Sequence, residues 1–167
     1  GGGGRLNDVT ATSTEAVLSV SNSTVVVNGG NFNTTGTKSC FVNSYANLTI
    51  NKGTTTEGTF ASEGASCIQN SWGRVEINGG TITSNADCTI KNRGSLRMNG
   101  GTVATSNAEG TVIDCTGNFG DTWINGGTIK GGKDGIRLVD LGSSGVTLKS
   151  EVTLKNAAFE NNTQSNI

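Results

Sequence analysis

The stretch that decides the fold is Val75-Glu76-Ile77-Asn78-Gly79-Gly80-Thr81-Ile82-Thr83. Variants of its first six residues recur along the chain as Val25-Val26-Val27-Asn28-Gly29-Gly30, Leu48-Thr49-Ile50-Asn51-Lys52-Gly53, Leu96-Arg97-Met98-Asn99-Gly100-Gly101 and Thr122-Trp123-Ile124-Asn125-Gly126-Gly127, with a weaker copy at Val146-Thr147-Leu148-Lys149-Ser150. Successive Asn positions are 23, 27, 21 and 26 residues apart. A constant motif at uneven intervals predicts a repeat protein whose coils carry loops of different length.

The motif itself predicts a short strand followed by a turn. In Val-x-Ile the side chains alternate, so the two aliphatic residues share one face of the strand. One such strand cannot bury that face, but coils stacked about 4.8 Å apart can. Asn tolerates the turn conformation and its amide can hydrogen-bond along the stack, and the following glycines allow positive φ. We therefore interpret Asn28, Asn51, Asn78, Asn99 and Asn125 as a structural ladder at the turn.

The four cysteines supply a second anchor. Cys40, Cys67 and Cys88 each precede a motif Asn by 11 residues, and Cys115 precedes one by 10. Two columns then agree on about six coils. Parallel strands orient neighbouring Cβ atoms poorly for a disulfide, which favours an inward ladder of thiols over a disulfide or redox stack.

These patterns predict an all-β chain folded as a right-handed parallel β-helix, with about six coils of three short strands. We assign residues 16–150 to the β-helix, residues 1–15 to a Gly-rich linker that leads into the first coil, and residues 151–167 to a final coil or C-terminal cap. The glycine start without Met also suggests a piece of a longer protein.

The Val-x-Ile-Asn-Gly-Gly-Thr-Ile pattern resembles the pectate-lyase-like right-handed β-helix proteins, and Gly135-Ile136-Arg137-Leu138 resembles a further coil of that group. Repeat segments of bacterial surface proteins, adhesins and phage tail spikes share this architecture. The resemblance covers about residues 16–150 and implies the fold. It leaves the function open, because the group includes enzymes, adhesins and passive fibres.

Composition and charge argue against several classes of partner. The formal charge is −1, from 12 basic and 13 acidic residues, without a basic stripe, so no nucleic-acid partner is expected. No apolar run approaches the roughly 20 residues of a membrane span, so no membrane insertion is expected. The cysteines follow no metal-ligand spacing, and we expect no metal and no cofactor.

An aromatic column is the best candidate site. The column contains four residues that each lie five positions before the apolar residue preceding the motif Asn: Tyr45, Trp72, Arg93 and Phe119. Trp123 is expected to widen the patch from the adjacent strand. Such a ridge could stack sugar rings, with Arg93 donating hydrogen bonds. The alternative is a stacking ladder that stiffens one corner, helped by a cation–π contact with Arg93.

A second column offers an enzymatic alternative. Asp87 and Asp114 are expected on neighbouring coils about 4.8 Å apart, with Arg137 on the next coil. Two close carboxylates could serve a glycoside hydrolase or a polysaccharide lyase acting on an acidic glycan. A solvated stripe of compensating charges is the alternative, and the chain lacks His and dense Asp clusters, which weakens the enzymatic interpretation.

The sequence thus favours a non-catalytic extracellular module of a larger surface or fibre protein, acting in adhesion, glycan binding or as a rigid spacer. Its expected partners are a glycan, together with further coils of the parent chain or a homo-oligomer such as a trimer. The expected location is extracellular, at a cell surface or on a virion.

Overall fold

The computed structural model describes residues 2–116, 120–138 and 151–167. Every regular element in these ranges is a β-strand. The described part of the chain contains no helix long and apolar enough to cross a bilayer.

Eighteen strands follow one another along the chain. They are β1 (Gly3–Asn7), β2 (Thr10–Ser13), β3 (Leu18–Ser21), β4 (Thr24–Asn28), β5 (Asn31–Thr34), β6 (Phe41–Ser44), β7 (Asn47–Asn51), β8 (Thr59–Ser62), β9 (Ile68–Ile77), β10 (Thr81–Ser84), β11 (Cys88–Met98), β12 (Thr102–Thr105), β13 (Thr111–Asp114), β14 (Thr122–Ile124), β15 (Thr128–Lys130), β16 (Asp134–Arg137), β17 (Val152–Leu154) and β18 (Ala158–Glu160).

The strands pair in parallel and form two sheets. One sheet has seven strands and contains the strand that follows each Gly-Gly turn, in the order β18-β15-β12-β10-β8-β5-β2. The other has eleven strands and contains both the Val-x-Ile strands and the strands near the cysteines. These two kinds merge because β9 and β11 run through the corner between them. The chain is a parallel β-solenoid of about six turns, which confirms the predicted fold class.

The core is a continuous interior stack of aliphatic and aromatic side chains. Ile50, Ile77 and Ile124 of the repeated motif are completely buried, as their alternation predicts. Near the N-terminal end the rings of Phe32, Phe41 and Phe60 fill the interior with centroids 5.3 to 5.6 Å apart.

The second glycine of the motif is required by its turn. Gly101 has a φ of 82°, and a Cβ there would stand 2.7 Å from the carbonyl oxygen of Gly80 in the coil below. Both the left-handed backbone and the close approach of successive coils therefore demand glycine.

The two ends of the chain continue the stack. β1 and β2, within the predicted linker and lead-in region, pair with β4 and β5. β17 and β18 pair with β14 and β15 and add a coil at the other end. The weak motif copy at 146–150 lies outside the described residues.

All four thiols are unpaired and buried. The prediction that the four cysteines lie in register as one column is nevertheless wrong. Phe41 pairs with Ile68, which places Cys40 beside Cys67, but Ile68 pairs with Ile90, so Thr89 and not Cys88 comes next. Cys115 lies farther still from the column, because the preceding residue, Asp114, pairs with Lys91.

The distance in sequence from each Cys to the motif Asn is nearly constant because a shorter corner is offset by a Cys that lies earlier on its strand. β11 turns the corner with one residue fewer than β9, at an irregularity between Arg93 and Ser95, so Cys88 lies one position earlier on its strand. Burial raises the pKa of the Cys67 thiol well above its usual value, and the neighbouring Cys40 thiol adds to the effect.

Candidate functional site

The corner between the cysteine-side strands and the Val-x-Ile strands carries a left-handed residue in three successive coils. Asn22 has a φ of 49°, Tyr45 of 49° and Trp72 of 61°. The hydrogen-bond pattern repeats, since the Asn22 amide donates to Ser44 O and the Tyr45 amide to Ser71 O. The three side chains therefore occupy equivalent positions on the surface.

Tyr45 and Trp72 form a stacked pair at this corner, which we call the aromatic platform. Their ring planes are 8° from parallel and their centroids are 6.4 Å apart. Tyr45 is 62% exposed and Trp72 is 50% exposed, so the rings lie on the surface and not in the core.

The backbone of the platform is strained. Asn adopts the left-handed region readily, whereas for a bulky aromatic residue it is an outlier that costs about 1 kcal/mol or more. Asn or Gly at positions 45 and 72 would relieve this strain. The fold instead holds two exposed aromatic residues in a conformation that disfavours them.

Beneath the platform lies a buried ladder of three asparagines, which we call the inner ladder. It consists of Asn43, Asn70 and Asn92, all at most 1% exposed. Asn43 Nδ2 donates to Asn70 Oδ1 at 2.8 Å, and Asn70 Nδ2 donates to Asn92 Oδ1 at 2.7 Å. Each rung precedes a corner residue by two positions in the coils of Tyr45 and Trp72.

The inner ladder also binds the turns themselves. Asn43 Nδ2 donates to Ala46 O at 3.0 Å, directly after Tyr45, and Asn70 Nδ2 donates to Gly73 O at 3.1 Å, directly after Trp72. The same amides reach the next coil at Arg74 O and Ser95 O. The buried amides thus close each strained turn and tie it to its neighbour.

Two shallow depressions flank the platform. One of about 540 Å³ lies on the N-terminal side of Tyr45 and is lined by Gly2, Gly3, Asn22, Ser23, Thr24, Tyr45 and Asn47. Another of about 250 Å³ is lined by Tyr45, Ala46, Asn47, Trp72, Gly73, Arg74 and Ser95. Amides and hydroxyls therefore surround the exposed rings on both sides.

One ion pair borders the second depression. Arg74 Nη2 lies 2.9 Å from Glu76 Oε2, and both side chains are partly exposed. A solvent-exposed pair of this kind contributes little to stability. It does leave a guanidinium within reach of a ligand seated on the platform.

The predicted aromatic column is wrong at Arg93. Arg93 pairs with Ser71 and not with Trp72, because β11 has one residue fewer at the corner. The irregularity between Arg93 and Ser95 leaves no residue of β11 in register with Trp72. Phe119 lies outside the described residues.

Trp123 forms a separate feature. It pairs in register with Arg97, whose guanidinium carbon lies 5.3 Å from the Trp123 ring centroid. Arg97 in turn pairs with Glu76, four residues beyond Trp72. Among the described residues, a cation–π contact is therefore made by Arg97 and Trp123.

The predicted carboxylate pair is wrong as well. Asp114 pairs with Lys91 on one side and with Arg137 on the other. Asp87 precedes Lys91 by four residues, roughly 13 Å along an extended strand. The two carboxylates cannot act together as the enzymatic alternative requires.

Asp114 instead forms an ion pair with Arg137, whose Nη2 lies 2.9 Å from Asp114 Oδ2. Burial opposes ionisation of the Asp114 carboxyl, but hydrogen bonds from Arg137 and Thr116 outweigh it and lower the pKa below its ordinary value. The hydrogen bond with Asp114 likewise raises the pKa of Arg137. This geometry stabilises a charge pair and leaves neither group free as a proton donor.

The motif asparagines form a second ladder, which we call the outer ladder. Nδ2 of each residue donates to Oδ1 of the residue in the preceding coil at 2.7 to 2.8 Å, through Asn125, Asn99, Asn78, Asn51, Asn28 and Asn7. Asn7 extends this ladder by one rung that the sequence motif did not reveal.

The sequence analysis also missed the inner ladder. A signal was present, because Asn43-Ser44-Tyr45-Ala46 and Asn70-Ser71-Trp72-Gly73 share the pattern Asn-Ser-aromatic-small at equivalent positions. A polar residue two positions before each aromatic residue could have been recognised as its turn-closing partner. Among the described residues, no group of three or more potential ligands could hold a metal ion.

Comparison of the chain with protein families, curated proteins and solved structures finds no match. The geometry of the aromatic platform is therefore the basis for a functional proposal.

Proposed function

We propose that this chain is a non-catalytic β-helix module that binds a glycan through the aromatic platform. The observation that carries the proposal is the exposed, parallel stacking of Tyr45 and Trp72 on left-handed backbone. Strain of this kind concentrates at functional sites, because a purely structural corner would be more stable with Asn or Gly.

The surroundings of the platform suit a sugar. Aromatic faces stack on the apolar face of a pyranose, and they carry little conformational entropy to lose on binding. The amides of Asn22 and Asn47 lie beside the rings and can exchange hydrogen bonds with sugar hydroxyls. The depressions are shallow, which suits binding to an extended or surface-attached chain better than enclosure of a small molecule.

The wider setting belongs to the same proposal. We place the module among the pectate-lyase-like β-helices of surface and fibre proteins, outside the cell, at a cell surface or on a virion. Further coils of a parent chain or a homo-oligomer would cover the open ends of the solenoid, because exposed strand edges otherwise invite unwanted pairing.

The test is a glycan array probed with the wild-type domain and with Trp72→Ala, with turnover of acidic polysaccharides scored in parallel. We expect binding without turnover, and a loss of about 5- to 30-fold in affinity for the variant, since stacking of one aromatic ring contributes about 1 to 2 kcal/mol. Trp123→Ala is the matched control, because it removes an indole that lies two coils away, in register with a residue four positions beyond Trp72.

A second variant, Tyr45→Asn, separates binding from folding. We expect it to weaken glycan binding while raising the free energy of unfolding by about 1 kcal/mol, because Asn tolerates the left-handed conformation. Binding unchanged in both platform variants would refute the proposal. No glycan binding at all would favour a rigid spacer, for which the continuous core and the two Asn ladders are well suited.

A further inference from the structure

We infer that Asn43 and Asn70 of the inner ladder are positioning residues for the aromatic platform, and that a buried Asn two positions before the corner is what allows a coil to present an aromatic ring. The inference rests on the proposed function for its biological meaning. Its structural content can be tested without a ligand.

The first argument is the direction of the hydrogen bonds. The Asn43 amide donates to the carbonyl that ends the Tyr45 turn, and the Asn70 amide donates to the carbonyl that ends the Trp72 turn. Both amides also bond the next rung of the ladder. A displacement of one turn would therefore break bonds that hold the other, which fixes the two rings relative to one another.

The second argument comes from the coil that lacks this device. Val20 pairs with Asn43 and occupies the ladder position in the first coil, where the corner residue is Asn22. Asn22 adopts the left-handed turn without a buried amide beneath it, as its own propensity allows. Among the coils of Val20, Asn43 and Asn70, the two that carry an aromatic corner residue have the buried Asn, and the coil of Val20 has neither.

The third argument is an unmet hydrogen bond. Asn43 Oδ1 is buried and has no hydrogen-bond partner among the described residues. The residue that pairs with Asn43 in the neighbouring coil is Val20, whose side chain has no donor. On this side the inner ladder ends at the coil of Tyr45, and one buried acceptor is left unsatisfied there.

The experiment that removes the device is Asn43→Val, which copies the residue found one coil earlier. We expect the protein to fold, and the circular dichroism arising from coupling between the Tyr45 and Trp72 rings to fall by more than half. Asn78→Ala in the outer ladder is the control and should leave this signal unchanged. A folded Asn43→Val protein with the wild-type signal would overturn the inference.

The experiment that adds the device compares the single variant Asn22→Trp with a double variant that combines Asn22→Trp and Val20→Asn. The depression of about 540 Å³ beside Tyr45 has room for a third ring, and the amide introduced by Val20→Asn would supply a donor for Asn43 Oδ1. We expect a strong near-ultraviolet circular dichroism band from the introduced indole only in the double variant, because that band requires a ring fixed in one orientation. Equal bands in the single and double variants, or no band in either, would contradict the inference.

These readouts also separate the inference from the proposed function. If the ring signals respond as expected but no glycan binds, the positioning role stands and the glycan-binding proposal fails. If glycan binding depends on Trp72 but the circular dichroism of the rings is unchanged in Asn43→Val, the binding proposal stands and the positioning role fails.

Discussion

The outer and inner Asn ladders use the same side chain and the same bond, yet they lie in opposite environments. Amide-to-amide distances are 2.7 to 2.8 Å in both. The outer ladder lies at the surface, where water can replace a lost partner. The inner ladder is buried, and the two N–H groups on each Nδ2 of Asn43 and Asn70 are shared between the ladder and two backbone carbonyls.

The comparison teaches that bond length does not decide what a hydrogen bond contributes. A partner removed at the surface is replaced by water, so its net value is small, whereas a partner removed from the interior leaves buried groups without any partner. The outer ladder can therefore act as an ordinary turn device, while the inner ladder can hold a strained surface feature in place.

The largest expected effect is that of Asn70→Ala. This change removes the donor for Gly73 O, Ser95 O and Asn92 Oδ1 and the acceptor for Asn43 Nδ2. We expect the free energy of unfolding to fall by about 3 kcal/mol, because several buried polar groups lose their partners together. Urea unfolding followed by far-ultraviolet circular dichroism measures it, and a loss below about 1 kcal/mol would show that water enters the corner.

A smaller effect is expected for Asn78→Ala in the outer ladder. It removes one bond to Asn51 and one from Asn99, both at the surface. We expect a loss of about 1 kcal/mol or less in the same urea experiment. A loss as large as that of Asn70→Ala would abolish the distinction between the two ladders.

The fold could be predicted because its signals are local and repeated. Alternation in Val75-Glu76-Ile77 fixes which face is buried, and the Gly-Gly pair after the Asn marks a turn that only glycine can make. Both follow from backbone geometry, so the repeated motif alone predicts the solenoid. The outer ladder could also be placed, because its residues belong to the motif itself.

The site could be predicted only in part, because the register of the cysteine-side strands depends on corner length. Tyr45 and Trp72 were identified, since the coils that carry them have corners of equal length. Arg93 was misplaced because β11 is one residue shorter at the corner, and Asp87 and Asp114 were misaligned for the same kind of reason. The number of residues between two repeated positions includes both strand residues and corner residues. A shorter corner can therefore be masked by a longer strand segment.

The smallest expected effect is the loss of unfolding free energy at acid pH. It distinguishes the charged groups, which titrate, from the neutral Asn ladders, which do not. The pKa of the Asp114 carboxyl is lowered in the folded protein, as is that of Asp8, chiefly through a hydrogen bond from Thr54. A carboxyl with a lowered folded-state pKa stabilises the fold above its unfolded pKa, and this stabilisation is lost as the pH falls through the folded pKa. Stability should therefore decline from about pH 4 downward.

Asp114→Asn provides the decisive variant for this prediction. Its deficit in unfolding free energy relative to wild type should be present at pH 7 and shrink as the pH falls below about 4, because the wild-type carboxylate is then protonated as well. The deficit of Asn70→Ala should stay constant over the same range, since no group of the inner ladder titrates there. Urea unfolding of the three proteins at a series of pH values measures both deficits. An Asn70→Ala deficit that shrinks in parallel with that of Asp114→Asn would mean that acid opens the corner beneath the aromatic platform, and the inner ladder would then depend on the charged surface instead of standing independently of it.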